Sequence, residues 1–307
     1  MTFYKPCISI CEEICKTYNL GNYLDILPIF CGIEDHNYQL YTTKNKYLLK
    51  IFHEDRTSKT KDYLKKYSIV TSSCSFVPSI LPNVDGNQLS SFNFDNKTYA
   101  YLIMEYIDGF DFYSLQQIPT REETLTLSSM LKQIHSIPST IPCIYDEYFL
   151  SHFKESDTLC FSCLTATMQS LGQSLLASYE QINFKEFPKC FIHGDCHKGN
   201  ILKDKQNRLY FIDFASCGYE YRIMDIVEIL NNTLFDYRYI EKSLTLQKCF
   251  LETYPLTIKE LESLTLLQKC YAFISIALKQ YDFSQGKNQT EESIYWIKNN
   301  EVLLSIL

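Results

Sequence analysis

Residues 190–202 read CFIHGDCHKGNIL. Two short apolar runs flank a polar knot in which His193 and His197 stand on either side of Asp195, and Asn200 lies five positions beyond that aspartate. Apolar runs that meet in this way read as two strands holding an active-site loop; the plainer alternative is a polar hairpin turn. Asp213 follows thirteen residues after Asn200, at the end of LYFID (209–213). A loop carboxylate, an amide and a second carboxylate in this order suit a phosphoryl-transfer site. The first accepts the proton of an attacking hydroxyl, and the other two offer oxygens to Mg²⁺ held against nucleotide phosphates. Upstream, YLLKIF (47–52) carries Lys50 in an apolar strand, where its charge can neutralise the α- and β-phosphates.

Working outward, the two halves of the chain differ. LPIFCGI (27–33), NYQLYT (37–42), YLLKIF, SSFNF (90–94) and TYAYLIM (98–104) read as short strands, separated by turn chemistry such as Thr43 to Asn45 and Asp85-Gly86-Asn87. From Asp108-Gly109 onward the pattern turns helical. Thr120 to Glu123 forms a capping box ahead of Leu127, Leu131 and Ile134, and Thr257 to Glu260 forms another. Only CFIH, NILK and LYFID interrupt the helical half. The expected fold class is α+β, with a small antiparallel sheet lobe over 1–104 that binds nucleotide. A larger, mainly helical lobe over 105–307 carries the loop and an acceptor pocket, with ligand beside the three short runs.

Composition narrows the function classes. A chain of 307 residues, 46% of them apolar, is long enough for two lobes. The net charge of -7 and the lack of a Lys/Arg stripe interleaved with aromatics argue against a nucleic-acid partner. Lys59, Lys61, Lys65 and Lys66 read as one solvated helix face. No run reaches the ~18 apolar residues of a membrane span, and the N-terminus lacks the order of a secretory signal, so a soluble, cytoplasmic protein without a membrane partner is expected. The thirteen cysteines are scattered and odd in number, which suits reduced thiols. Cys7, Cys11 and Cys15 fall on one helical stripe. Cys160 and Cys163 have C-x-x-C spacing without a second pair, so core packing is favoured over a metal site.

HGDCHKGN (193–200) followed by YFIDF (210–214) resembles the HGDxHxxN and IDF signatures of the aminoglycoside phosphotransferase and choline kinase-like family, small-molecule relatives of protein kinases. The resemblance extends over most of the chain. YLLKIF resembles the family's lysine strand and YLIMEYIDG (101–109) its interlobe hinge, while Asp225 in MDIVEIL falls at the place of a structural aspartate. The opening helix and NYQLYTTKNKYLLKIF (37–52) resemble the homoserine kinase branch. This implies a two-lobed protein-kinase-like fold and ATP- and Mg²⁺-dependent transfer to a hydroxyl. Asp195 becomes the catalytic base, Asn200 and Asp213 the magnesium ligands and Lys50 the phosphate lysine. Glu105 and Ile107 offer backbone C=O and N–H to adenine, His193 braces the loop by bonding backbone near Asp213, and His197 stands near the phosphates. Two features depart from the family pattern. The glutamate that pairs with the strand lysine is missing, leaving Asp62 or Glu54 as substitutes, and the nucleotide loop Gly32 to Asn37 holds one glycine.

Two other readings share these residues. His193, Asp195 and His197 could ligate the ion of a metallohydrolase, although the other histidines lie far off in sequence. A pseudokinase that binds nucleotide without transfer fits the missing glutamate. For a kinase, the acceptor is only faintly marked. Beyond Asp213 the chain has twelve acidic and nine basic side chains, which favours a hydroxyl acceptor that also bears an amine, such as homoserine, a choline-like alcohol or an aminoglycoside. The competing reading is the solvated surface of an acidic protein.

Overall fold

The computed structural model describes residues 6–29, 35–53, 59–143, 150, 153–154 and 160–307. It divides into two compact units, Met1–Gly109 and Phe110–Leu307, so the boundary falls at the end of the YLIMEYIDG segment, five residues later than expected.

The first unit is built on strand alternation. Strands β1 (Tyr23–Ile29), β2 (His36–Thr42), β3 (Lys46–Ile51), β4 (Ile80–Leu81), β5 (Ser90–Phe94) and β6 (Lys97–Glu105) form one antiparallel sheet in the order β1-β2-β3-β6-β4, with β5 also on β6. Leu49 and Ile51 of β3 are buried together with Tyr38, Leu40 and Ile103 against helix α1 (Ile8–Thr17), which contributes Ile10, Cys11, Ile14 and Cys15. The two-residue period therefore turns Leu48 and Lys50 to the opposite face. β1 starts four residues before the expected LPIFCGI run, and residues 30–33 of that run lie outside the described residues. Pro28 is tolerated because β1 is an edge strand.

Two expectations fail in this unit. Cys7 is exposed at the N-cap of α1, so only Cys11 and Cys15 belong to the apolar stripe. In helix α2 (Thr60–Ser73), Lys66 shares the buried face of Tyr63, Tyr67 and Val70 while Lys61 and Lys65 stay exposed, so the lysines do not form one solvated face. Lys66 lies three residues after Tyr63 and four before Val70, a spacing that keeps it on their side.

In the second unit, the short strand β7 (Gly109–Asp111) leads into α3 (Arg121–His135), whose capping box is formed as expected. Next come α4 (Ala166–Tyr179), β8 (Lys189–Ile192), β9 (Ile201–Asp204), β10 (Leu209–Phe211) and β11 (Gly218–Tyr221). β9 pairs with β10 and β8 with β11, both antiparallel. Helix α5 (Ile223–Glu228) continues into a π-helical turn, Ile229–Thr233, and α6 (Ile240–Thr253), α7 (Ile258–Ser284) and α8 (Glu291–Ile306) complete the unit. The second capping box, Thr257 with Glu260, opens α7. By length and composition α7 could cross a membrane, but Leu267, Cys270, Phe273, Ile274 and Ala277 are buried, as in the core helix of a globular unit. Cys163 donates to the Cys160 carbonyl at 2.8 Å, and Cys160 is buried, so this pair packs in the core.

Candidate active site

The loop from His193 to Asn200 joins β8 to β9, and its shape is set from beneath by side chains of the α5 segment. The Asp225 carboxylate is fully buried and accepts the backbone N–H of His193 at 2.7 Å and of Gly194 at 2.8 Å. His135 of α3 bonds the same carboxylate through Nε2 at 2.9 Å and meets the Tyr254 hydroxyl through Nδ1. Burial pushes the Asp225 carboxyl up, but its bond to His135, nearby histidine charge and the Gly194 N–H hold it below the usual carboxylate range. Glu228 accepts the Cys196 N–H at 2.8 Å, and Thr233 donates its hydroxyl to the Cys196 carbonyl at 2.6 Å. Gly194 has φ of +84°, a left-handed conformation that costs glycine nothing and opens the turn into Asp195.

His193 braces the loop. Its Nδ1 accepts the Asp195 N–H at 3.2 Å, and its Nε2 bonds the Ile212 carbonyl at 3.1 Å, as the resemblance implied. Only a neutral ring with the proton on Nε2 satisfies both partners. Burial keeps that ring neutral and lowers its pKa to about 4. With both nitrogens engaged, His193 has no lone pair for a metal, so the metallohydrolase reading loses one of its three ligands.

Asn200 donates Nδ2–H to the Asp195 carboxylate at 2.7 Å and to the Asp195 carbonyl at 3.1 Å. Its amide oxygen is thereby left on the side away from Asp195. The Ile212 N–H bonds the Asn200 carbonyl at 3.0 Å, which carries Asp213, the next residue, to the end of β9 where Asn200 sits. Asp213 has φ of +59°, a strained value for a residue with a side chain, and its Oδ1 accepts the Ala215 N–H at 3.4 Å. His197 accepts the Gly199 N–H on Nδ1 and presents Nε2 3.6 Å from Asp195 Oδ1. Burial lowers its pKa against the pull of Glu292 and Asp213. The Trp296 ring stands edge-on to it at 6.0 Å, and Trp296 Nε1–H donates to Glu292 at 3.2 Å.

Sequence reading missed Lys198, which is wholly buried. Its ammonium donates to the Phe235 carbonyl, Asp236 and the Tyr295 hydroxyl at 3.3, 3.2 and 2.7 Å, tying the loop to α8. It also missed Glu228. Cys196, Asp225 and Glu228 bring ligand-type atoms within 4.8 Å of one another. Burial raises both the Cys196 thiol and the Glu228 carboxyl, however, and both carboxylates are occupied with loop N–H groups. These three residues anchor the loop.

In the first unit, Lys50 is buried with its ammonium 3.1 Å from Asp35, whose side chain is 1% exposed. Of the two expected substitutes, Asp62 is exposed on α2, and Glu54 lies outside the described residues, as do residues 32–34 of the expected nucleotide loop, Gly32 to Asn37. In the YLIMEYIDG segment, expected as the hinge, the Glu105 N–H is taken by the Ser79 carbonyl and the Ile107 carbonyl by the Gly109 N–H. The contacts expected for adenine use the opposite groups, the Glu105 C=O and the Ile107 N–H. Gln39 of β2 donates to the Tyr106 hydroxyl at 2.6 Å and holds the hinge side chain in place.

Residues 25–243 match the model of the phosphotransferase enzyme family, more than half of the chain. The chain belongs to that family. It is therefore a phosphotransferase of the small-molecule kinase type. A homoserine kinase from Polaromonas naphthalenivorans is 24% identical over 277 residues, covering 86% of this chain and 84% of that protein. Among solved structures, a spectinomycin phosphotransferase in complex with ADP and spectinomycin matches with a TM-score of 0.69 at 15% identity over 97% of both chains. The choline kinase LicA from Streptococcus pneumoniae matches with a TM-score of 0.65 at 14% identity, over 97% of this chain and 99% of that one. The two structural likenesses show a shared kinase-like fold, with an antiparallel sheet in the first unit and helices dominating the second.

Proposed function

We propose that this phosphotransferase moves the γ-phosphate of ATP to a hydroxyl of a small molecule that also carries an amine. The observation that carries the reading is the bond from Asn200 to Asp195, with Asp213 delivered beside Asn200 by the Ile212 backbone bond. It supports reading Asp195, Asn200 and Asp213 as a base and two oxygen donors that act as one unit. Asp195 is the catalytic base. It takes the hydroxyl proton as the acceptor oxygen bonds to phosphorus and the bond from phosphorus to the bridging oxygen breaks, releasing ADP. Asn200 and Asp213 suit a hard cation, since both offer oxygen and the Asn200 N–H groups are already spent on Asp195. Bound there, Mg²⁺ supplies charge to the phosphate oxygens. Lys50 takes the α- and β-phosphates, the Glu105 and Ile107 backbone takes adenine, and His197, neutral and beside Asp195, lies near the phosphates.

The amine rests on charge. Against the burial that lowers the His197 pKa, the carboxylates of Glu292 and Asp213 act on it more strongly than the ammonium of Lys279, and Asp111 adds to them. Trp296 orients Glu292, and a carboxylate so placed recognises an amine by charge-assisted hydrogen bonds. A reducing, ATP-rich cytoplasm suits the described cysteines, all free thiols.

An ADP-release screen over amino alcohols, hydroxy amino acids, aminoglycosides, neutral sugars and nucleosides tests the reading. Turnover confined to amine-bearing acceptors and dependent on Mg²⁺ is expected. Turnover with neutral acceptors alone removes the amine, and nucleotide binding without turnover on any acceptor returns the pseudokinase.

A further inference from the structure

We infer that Asp35, the residue just before β2, is the positioning residue of Lys50, in place of a helix-borne glutamate. The inference rests on the reading of Lys50 as the phosphate lysine. Asn37 of β2 lies opposite Lys50 in the antiparallel register, so Asp35, two residues earlier, is its diagonal neighbour on the same face. The Lys50 ammonium reaches it at 3.1 Å as an ion pair. The other Asp35 oxygen accepts the His53 N–H at 3.3 Å, which pins the carboxylate to the residue that follows Phe52 beyond β3. Helix α2 brings no carboxylate to the ammonium among the described residues. It offers the Tyr63 ring, 5.3 Å from Nζ, and Phe52 offers a second ring at 5.8 Å. Burial with two aromatic faces and one carboxylate leaves the ammonium a narrow range of directions.

In the kinase arrangement with the acid on the helix, movement of that helix makes or breaks the pair. Here the acid comes from the residue entering β2 and the lysine from β3, so the charge pair itself does not depend on α2, which contributes the Tyr63 ring. Asp35 also lies within the expected nucleotide loop, residues 32–37, two positions before its end.

The test compares Asp35→Asn, Asp35→Glu, Asp62→Asn, Glu54→Gln and Lys50→Met by steady-state kinetics and Mg·ATP calorimetry. Asp35→Asn is expected to lower kcat/KM for ATP roughly 10- to 100-fold, the range seen when an orienting partner is lost, with the acceptor KM unchanged. Asp35→Glu should restore part of it, and the Asp62 and Glu54 variants should behave as the parent. If Lys50→Met impairs ATP use while Asp35→Asn does not, or if Asp62→Asn or Glu54→Gln gives the larger defect, the assignment to Asp35 is wrong and the lysine reading stands. If Lys50→Met itself leaves ATP use intact, the lysine reading falls. Should Asp35→Asn fail to fold, adding Lys50→Met removes the unpaired ammonium and should recover the melting transition; no recovery overturns the pair.

Discussion

Asp225→Asn tests how the catalytic loop is held. The carboxylate receives Gly194 N–H on Oδ1, and His193 N–H and His135 Nε2 on Oδ2. An asparagine keeps the shape but has one oxygen. In its better orientation it retains the His193 and His135 bonds and turns its NH₂ toward the Gly194 N–H. One buried donor is then unsatisfied, at about 1–3 kcal/mol, and each of two retained bonds falls from charge-assisted to neutral strength, about 1 kcal/mol apiece. The expected loss is therefore about 3–5 kcal/mol, a large share of the ~5–15 kcal/mol typical of a folded domain. Trp296, the chain's single tryptophan, is buried in the same unit and next to His197, so its fluorescence during urea unfolding reads the loss directly. Activity should fall with it, because Asp195 stands one residue beyond the two tethered N–H groups. A loss under ~1 kcal/mol, within the usual range of surface changes, would refute the claim that Asp225 organises this loop.

Asp195→Asn should lower kcat by about 10²–10⁴-fold while leaving Mg·ATP affinity near the parent value, and turnover within about threefold of the parent would remove Asp195 as the base. Asp213→Ala should weaken Mg²⁺-dependent nucleotide binding in calorimetry; an unchanged affinity would make Asp213 structural. His193, held neutral with a pKa of about 4 against an ordinary 6.5, binds fewer protons folded than unfolded below neutrality. Its stabilisation is present above pH ~6.5 and is lost as pH falls toward 4, by about 3 kcal/mol, so urea unfolding should show stability declining through that window. A flat profile would mean that the ring is not buried neutral.

The loop was legible because its chemistry is local. Asp195, Asn200 and Asp213 lie within nineteen residues, and short strands on either side fix their separation. What escaped depends on long-range register. Asp35 meets Lys50 only because Asn37 falls opposite it across the β2–β3 hairpin, and a slip of one residue would send one of the two side chains to the other face. Lys66 was misjudged because a run of lysines suggests water, whereas its place on the α2 face is decided by Tyr63, Tyr67 and Val70. β1 was placed late because apolar Leu27 to Ile33 outweighs Tyr23 to Ile26, whose strand character comes from pairing with β2. The capping boxes were read correctly, since each is a reciprocal bond between residues three apart and needs no tertiary context.

The same contrast explains why Glu228 and Thr233 were missed as anchors. Asp225, Glu228 and Thr233 all act on the segment 193–196, so they must share one side of their own segment. In an α-helix the step from 225 to 228 keeps a side chain within roughly 60° of the first. The step from 228 to 233 turns it roughly 140° away. The π turn removes that mismatch. Its bond from the Leu234 N–H to the Ile229 carbonyl, 2.9 Å, spans five residues instead of four and winds the backbone less per residue. Thr233 is brought back to the side of Glu228, where its hydroxyl reaches the Cys196 carbonyl. Asp225 and Glu228 then take three points of support for the loop, the N–H groups of 193, 194 and 196, while Thr233 takes the carbonyl of 196. Cys196, directly after Asp195, is thus held at both its backbone N–H and C=O by this segment, just as Asp195 is by His193 and Asn200. Asp195 as the proposed base, which must wait, correctly aimed, for a hydroxyl, gains from a neighbour that cannot move, and here the stiffness is supplied by an irregular turn rather than by a regular helix.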